Sequence, residues 1–501
     1  MNQSALIYLK GSRLLITGVF AFIAVFVAVI VVFIPKIILP LLVVTLVVMA
    51  VIICLYRPSW SVWLILALFF FGDHTGIPQL IVWGRYLPTI GVALFVLSIL
   101  LRWIIAKKWH WRGIYLFVSY ALFTFLLLIS ALFNQSTTRD ILLSLATNLR
   151  YPLLFIILLN VDISPIFYRR IIKIFTVLGF LQIPVTLFQF ILLGQKGDFL
   201  TGTLGSNANL AAVALTCQFI LMSVWLNYGK QTWLYMLAIT SFFIPCILGD
   251  VQIALLFSPL VLIFMLIRYY GLYRIGQVLQ KIRNLFFFSI IVIGIMLIAM
   301  PKTREFLAIL PKHFQLLTST RPWDVTNTSV GRITIMRFAL PMLFENPLRV
   351  IWGFGPEATY GGLLSAVMSN QNAVARDSVD ISTMGVVCRK LAAIDIGCRD
   401  PQSFRAAMDF GLLGSALYIV PQLLLWRAST RIRRHLPSPE SRVVLLLFEG
   451  LSFFYVILGI WYIGVWRLDS YSFMFWLTAA AVFAEKRTYI ATKAISTREG
   501  S

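Results

Sequence analysis

Residues 14–34, LLITGVFAFIAVFVAVIVVFI, contain no charged side chain and are long enough to cross a bilayer as one helix. The rest of the chain has the same character, because 60% of its 501 residues are hydrophobic and only 12% are charged. Soluble proteins average about 45–50% apolar and about 25% charged residues. The composition therefore excludes a soluble enzyme, a disordered protein and a disulfide scaffold, and indicates a polytopic membrane protein.

Apolar runs of roughly spanning length recur along the whole sequence. Fourteen such runs are found, at 14–34, 37–56, 60–72, 87–105, 113–133, 150–161, 170–194, 205–226, 231–248, 251–268, 284–300, 406–426, 443–464 and 468–485. The runs at 60–72 and 150–161 are short for a full span. The predicted fold is an all-α membrane protein with about 12–14 transmembrane helices.

The basic residues predict the orientation of these runs. If the N-terminus is cytoplasmic and every run spans, 24 lysines and arginines fall in inside segments and 6 in short outside loops. This asymmetry follows the positive-inside rule, so both termini are expected in the cytoplasm. The net charge of +23 is then mostly topological, which removes the support for nucleic-acid binding.

One long polar segment, 301–404, interrupts the series of runs and is predicted to lie outside. It holds 11 basic and 8 acidic residues and contains periodic stretches, so we expect a folded helical cap. The chain accordingly divides into an N-terminal bundle of about 11 spans (1–300), this extracytoplasmic cap (301–404), and C-terminal helices with a cytoplasmic tail (405–501).

Two segments of the cap carry candidate binding residues. The stretch 329–345, SVGRITIMRFALPMLFE, has helical periodicity and places Arg332 and Arg337 where they could flank a groove. An amphipathic helix with two solvated arginines explains the same pattern. The stretch 352–362, WGFGPEATYGG, predicts a tight turn in which Gly353 and Gly355 allow a ligand to approach the backbone, although a plain structural turn fits equally well.

Ionisable residues also lie at the outer boundary of the spans. The stretch 400–414, DPQSFRAAMDFGLLG, carries Asp400, Arg405 and Asp409 where the twelfth run begins, and Arg150 opens the sixth run. Such residues mark functional sites or snorkel to water. One outer chamber suited to a pyrophosphate could collect the following arginines: Arg85, Arg150, Arg332, Arg337 and Arg405.

The sequence predicts no cofactor and no metal site, because its four histidines and five cysteines lack ligand spacing. Cys388 and Cys398 both lie in the outside segment. We expect them to form a disulfide in an oxidising space, with two free thiols as the alternative.

The region 329–414 resembles the superfamily of O-antigen ligases and Wzy-type polysaccharide polymerases. The resemblance lies in an arginine helix followed by Asn-Pro-Leu and a G-x-G turn, in the long outside loop, and in DPQSFRAAMDFGLLG. The last stretch is similar to the family signature in which a His-Asn pair precedes an acidic-x-Gly-Leu-x-Gly motif. Aligned on Asp409, the family histidine falls at Asp400.

The resemblance implies a metal-independent glycosyltransferase with a GT-C-like architecture. Its donor would be a glycan linked to undecaprenyl pyrophosphate, and its acceptor would be a sugar hydroxyl of a second lipid-linked oligosaccharide. Its other partners would be membrane lipids and a chain-length regulator. Asp400 becomes the candidate base, with Asp409 as its rival or a structural residue. Arg332, Arg337, Arg150 and Arg405 become candidate pyrophosphate ligands, and Arg332 would also stabilise the charge that develops during transfer.

Three functions remain open at this point. The missing histidine favours a polymerase for O-antigen, capsule or exopolysaccharide over a ligase. A transporter or flippase for a lipid-linked glycan also needs spans and a cationic cavity, but it should show repeat symmetry and charges near the membrane midplane. Neither is evident apart from Glu449. A non-catalytic scaffold would not need the arginines of the cap.

Overall fold

The described part of the chain is built from helices and contains no strand. A computed structural model describes residues 58–71, 87–106, 112–195, 200–204, 207–229, 232–249, 251–299, 340–356, 358, 402–433, 436, 438–457 and 469–499. The helices are α1 Pro58–Phe71, α2 Leu87–Ala106, α3 Ile114–Phe133, α4 Thr138–Asn160, α5 Pro165–Ile191, α6 Asn207–Tyr228, α7 Thr232–Ser241, α8 Phe243–Leu248, α9 Gln252–Tyr270, α10 Ile275–Ala299, α11 Pro347–Trp352, α12 Gln402–Ile432, α13 Pro439–Ser452 and α14 Asp469–Glu499.

Six of these helices are long and apolar enough to cross a membrane. They are segments of α3, α4, α5, α6, α10 and α12, and shorter apolar segments lie in α1, α2, α9 and the broken pair α7–α8. The chain is therefore an all-α, multi-pass membrane protein, as the composition predicts. The runs at 14–34 and 37–56 lie outside the described residues.

The sixth run was predicted too short. The helix α4 spans 23 residues and begins at Thr138, where the hydroxyl of Thr137 accepts a hydrogen bond from the Asp140 amide at 3.2 Å. Its first half carries polar and charged residues, so hydropathy alone did not reveal it. Arg150 therefore lies in the interior of a helix, about 18 Å from its start, and does not open it.

The third run coincides with α1, of which the structure describes Pro58–Phe71. The 14 residues of α1 extend about 21 Å, which is less than the hydrocarbon thickness of about 30 Å.

The helices differ strongly in how far they are surrounded by protein. In α6, 83% of the apolar stretch is buried, whereas in α10 only 17% is buried. The centre is filled by large aromatic side chains, among them Trp225 of α6 and Trp476 of α14. Therefore α6 and α14 form the middle of the bundle, and α10 lies at its periphery.

Ion pairs connect the helices at the end of the bundle that is predicted to be cytoplasmic, here called the inner end. Glu449 of α13 is fully buried and accepts a 2.6 Å hydrogen bond from Arg268 of α9, with Arg433 at 3.7 Å. Glu485 of α14 accepts bonds of 2.7 and 2.9 Å from Arg169 of α5. Each pair joins residues that the charge pattern assigns to the same side of the membrane.

Candidate functional site

Two glycines shape the turn that follows α11. Gly353 has φ of 73° and Gly355 has φ of 101°, in the left-handed region that L side chains rarely adopt. Asn346 caps the short helix before the turn, because its side chain accepts a 2.9 Å hydrogen bond from the Leu348 amide. The turn predicted in 352–362 is thus present at Gly353 and Gly355.

The turn packs directly on a break in α12. The amide of Phe354 donates a 2.7 Å hydrogen bond to the carbonyl of Met408. Gly411 is non-helical, with φ of 70° and ψ of 179°, so α12 consists of two helices that meet at this residue. A Cβ at Gly353 would lie 2.5 Å from the Met408 carbonyl oxygen and 2.6 Å from the Gly411 nitrogen.

The same turn also packs on the end of α3. The Ser130 hydroxyl donates a 2.6 Å hydrogen bond to the Trp352 carbonyl, and the rings of Phe133 and Trp352 stack at 5.1 Å. A Cβ at Gly355 would lie 2.7 Å from the Ser136 hydroxyl. We call this three-way contact of 352–355, 408–411 and the end of α3 the glycine junction.

Asp409 is fully buried within the glycine junction. Its neighbour Phe410 packs edge-on against Phe123 of α3, with ring centres 5.0 Å apart. The break at Gly411 lies two residues beyond Asp409, so Asp409 belongs to the last turn of the first part of α12, where the glycine turn packs. Sequence reasoning placed Asp409 and both turn glycines among the candidates without placing them together.

Arg150 lies among aromatic and hydroxyl side chains in the interior. Its guanidinium donates a 2.8 Å hydrogen bond to the Thr89 hydroxyl of α2 and lies 4.8 Å from the ring centre of Tyr151. It is also close enough to the Tyr455 hydroxyl to interact with it electrostatically. Tyr455 in turn shares a 3.1 Å hydrogen bond with Ser472 of α14.

A buried polar cluster lies in the same interior, formed by Tyr120, Gln422 and Trp476. The rings of Tyr120 and Trp476 are 6.1 Å apart, and Gln422 lies beside Tyr120. All three side chains are buried, with Gln422 close enough to the Tyr120 hydroxyl, and Trp476 close enough to the Tyr455 hydroxyl, to interact with it. The interior between α3, α12 and α14 therefore holds a cluster of buried polar side chains that bond mainly with one another.

A chain of aromatic contacts connects this cluster to the glycine junction. The Phe123 ring lies between Phe410 of the junction and Tyr418, at centroid distances of 5.0 and 5.3 Å. Tyr418 reaches Tyr120 at 6.0 Å. The two regions therefore share one wall, formed by α3 and α12.

Several predicted site residues lie outside the described residues, namely Arg85, Arg332, Arg337, Cys388, Cys398 and Asp400. Arg405 belongs to α12, but its side chain is likewise outside the described set. Their roles and the disulfide stay predictions. Among the residues that the structure describes, no three His, Cys, Asp or Glu side chains come together as a metal site.

Sequence reasoning missed Ser130, Phe133, Tyr120 and Gln422. The first two end an apolar run before the turn NQST, and the others lie inside apolar runs, where hydroxyl and amide side chains give no distinct pattern. Only their three-dimensional neighbours show what they contact.

No family model matches this chain, and no curated protein matches it.

Proposed function

We propose that this protein is a polymerase that joins glycan repeat units linked to undecaprenyl pyrophosphate on the outer side of the bacterial cytoplasmic membrane. The proposal rests on the resemblance of 329–414 to the O-antigen ligase and polymerase superfamily. The absence of the family histidine favours a polymerase over a ligase. Partners would be a lipid-linked donor, a lipid-linked acceptor and a chain-length regulator.

The observation that best supports the proposal is the glycine junction. It brings the turn of the first motif onto the DFG stretch of the second, through the 2.7 Å hydrogen bond between Phe354 and Met408. Arg337 lies 16 residues before Gly353, and Asp400 lies 9 residues before Asp409. The segments that carry the candidate arginines and the candidate base therefore both lead into one small region.

In the proposed reaction, the acceptor hydroxyl oxygen forms a bond to the anomeric carbon of the donor while the bond from that carbon to pyrophosphate breaks. The hydroxyl proton passes to Asp400. Arg332 and Arg337, helped by Arg405, bind the leaving pyrophosphate, whose negative charge grows in the transition state. Arg150 would meet it at the deepest part of the chamber, about 18 Å along α4. No step requires a metal.

The acidic residues in the spans give less support to a transporter than the glycine junction gives to a polymerase. Glu449 was the one charge that suggested a midplane site, and it is bound by Arg268 and Arg433 at the inner end. Glu449 is therefore neutralised by protein partners and does not mark a midplane site for a lipid-linked glycan.

The arginine assignment can be tested with purified protein, a lipid-linked repeat unit and a gel that resolves polymer length. We expect Arg332→Lys to lose most activity, because lysine keeps the charge but loses the bidentate fork, and Arg332→Ala to lose nearly all. Arg427→Ala, at the inner end, is the matched control and should polymerise normally. Normal chain growth by Arg332→Ala would reject the assignment.

The base can be tested by comparing Asp400→Asn with Asp409→Asn, using Asp162→Asn as a control carboxylate. Asp400→Asn should keep its fold and bind donor but lose turnover. Asp409→Asn should lower the yield of folded protein, since its side chain is fully buried in the junction. Turnover near the normal rate in Asp400→Asn would remove Asp400 from the mechanism.

A further inference from the structure

An apolar groove opens towards the bilayer between α7, α8, α9 and α10. It encloses a cavity of about 100 Å³, lined mostly by apolar side chains such as Leu262 and Leu285, with the hydroxyls of Thr240 and Ser289 among them. Phe286 at its rim is 65% exposed, so the groove is reached from the lipid side. It lies beside α10, the least buried of the long apolar helices in the described ranges.

The face of α10 that lines the groove continues towards the inner end and there becomes basic. Ile282, Leu285 and Ser289 follow one another at helical spacing along the groove. From Leu285 the same face extends back through Lys281 and the buried Val278 to Arg274, just before the helix. An apolar groove with two cations at one end matches the shape and charge of a phospholipid.

Both cations lie beside aromatic rings. The Lys281 ammonium lies 4.7 Å from the ring centre of Trp225, and the Arg274 guanidinium lies 5.4 Å from that of Tyr273. Arg268 and Arg433 at the same end bind Glu449, but within the described part of the chain no carboxylate forms an ion pair with Lys281 or Arg274. Their charges are available to an anion.

We propose that this groove binds one anionic phospholipid, with an acyl chain beside Leu262 and Leu285 and its phosphate at Lys281 and Arg274. Basic residues between helices at the bilayer surface attract anionic head groups. A neutral lipid would fill the groove without using the cations, and a free phosphate would leave the groove unfilled. The site is independent of the polymerase proposal, because none of its residues belongs to the glycine junction or the buried polar cluster.

Native mass spectrometry of the purified chain, titrated with phosphatidylglycerol or phosphatidylcholine of the same acyl chains, tests the charge requirement. We expect phosphatidylglycerol to bind about 25-fold more tightly, from roughly 5-fold for each of the two cations. The double variant Lys281→Gln with Arg274→Gln should lose this preference. Arg427→Gln with Arg431→Gln, which removes two cations from the end of α12, should keep it.

A groove-filling variant tests the position of the acyl chain. Ser289→Phe should weaken binding of both lipids and leave Lys281 and Arg274 in place. Equal affinity of the wild type for both lipids would overturn the proposal. Loss of the lipid preference in the control pair to the same extent as in the double variant would also overturn it. Unchanged lipid binding by Ser289→Phe, or displacement of the lipid by inorganic phosphate, would do the same.

Discussion

At the end of the bundle predicted to face outside, the glycine junction holds the backbones of α11 and α12 in close contact beside the end of α3. At the inner end, buried glutamates instead bind arginines from other helices. The hydrogen bond between Phe354 and Met408 brings the two backbones so close that a Cβ at Gly353 or Gly411 would meet backbone atoms. Glu449 and Glu485 are instead held by ion pairs with arginines, whose side chains are long and flexible. The stability of the outer contact therefore depends on steric fit, and that of the inner contacts depends on charge balance. The two ends should respond to different mutations.

The largest expected effect comes from adding a methyl group at the outer contact. Gly411→Ala and Gly353→Ala should each destabilise the protein by roughly 3 kcal/mol or more, because the new Cβ meets backbone atoms and φ is positive. Thermal unfolding in detergent measures this loss.

The matched control is Gly294→Ala in α10, where a Cβ meets nothing within 4 Å. It should be neutral or slightly stabilising, since alanine favours a helix over glycine. If Gly411→Ala unfolded at the same temperature as Gly294→Ala, steric restriction at the outer contact would be disproved.

A smaller effect is expected from unbalancing the inner end. Arg268→Met leaves the fully buried Glu449 with only the more distant Arg433, and should cost roughly 2 kcal/mol. Replacing both partners, as Arg268→Met with Glu449→Met, should restore most of that stability because no buried charge remains unbalanced. A double mutant less stable than Arg268→Met alone would show that the charge account of this end is wrong.

The smallest effect concerns one neutral hydrogen bond of the outer contact. Ser130→Ala removes the bond to the Trp352 carbonyl and should cost about 1 kcal/mol. Ser223→Ala, which removes a bond within α6 itself, serves for comparison and should cost less. Equal losses in the two variants would mean that the link between α3 and the turn adds nothing of its own.

The sequence predicts the class of fold well and the contacts poorly. Apolar runs such as 113–133 and 205–226 coincide closely with α3 and α6, because a bilayer requires long apolar helices. The start of α4 was missed because its first half is held by a Thr137 cap and protein contacts and has low hydropathy. The break at Gly411 was also missed, since only the approach of the turn explains it.

The candidate site shows the same limit. Glycine-rich turns are visible as a pattern, so Gly353 and Gly355 were predicted. That this turn binds the residues around Asp409 depends on a contact between segments more than 50 positions apart, which no local pattern reveals. The interior position of Arg150 likewise follows from the length of α4 and from its Thr89 partner.

The proposed function is tested most directly by reconstituting the purified protein in vesicles with one synthetic repeat unit linked to undecaprenyl pyrophosphate. The account predicts a ladder of polymers that grows by whole repeat units and releases one undecaprenyl pyrophosphate for each bond formed. The ladder should be absent with Arg332→Ala and present with Arg427→Ala. Movement of the intact lipid-linked unit across the bilayer without any new glycosidic bond would contradict the account and identify a transporter.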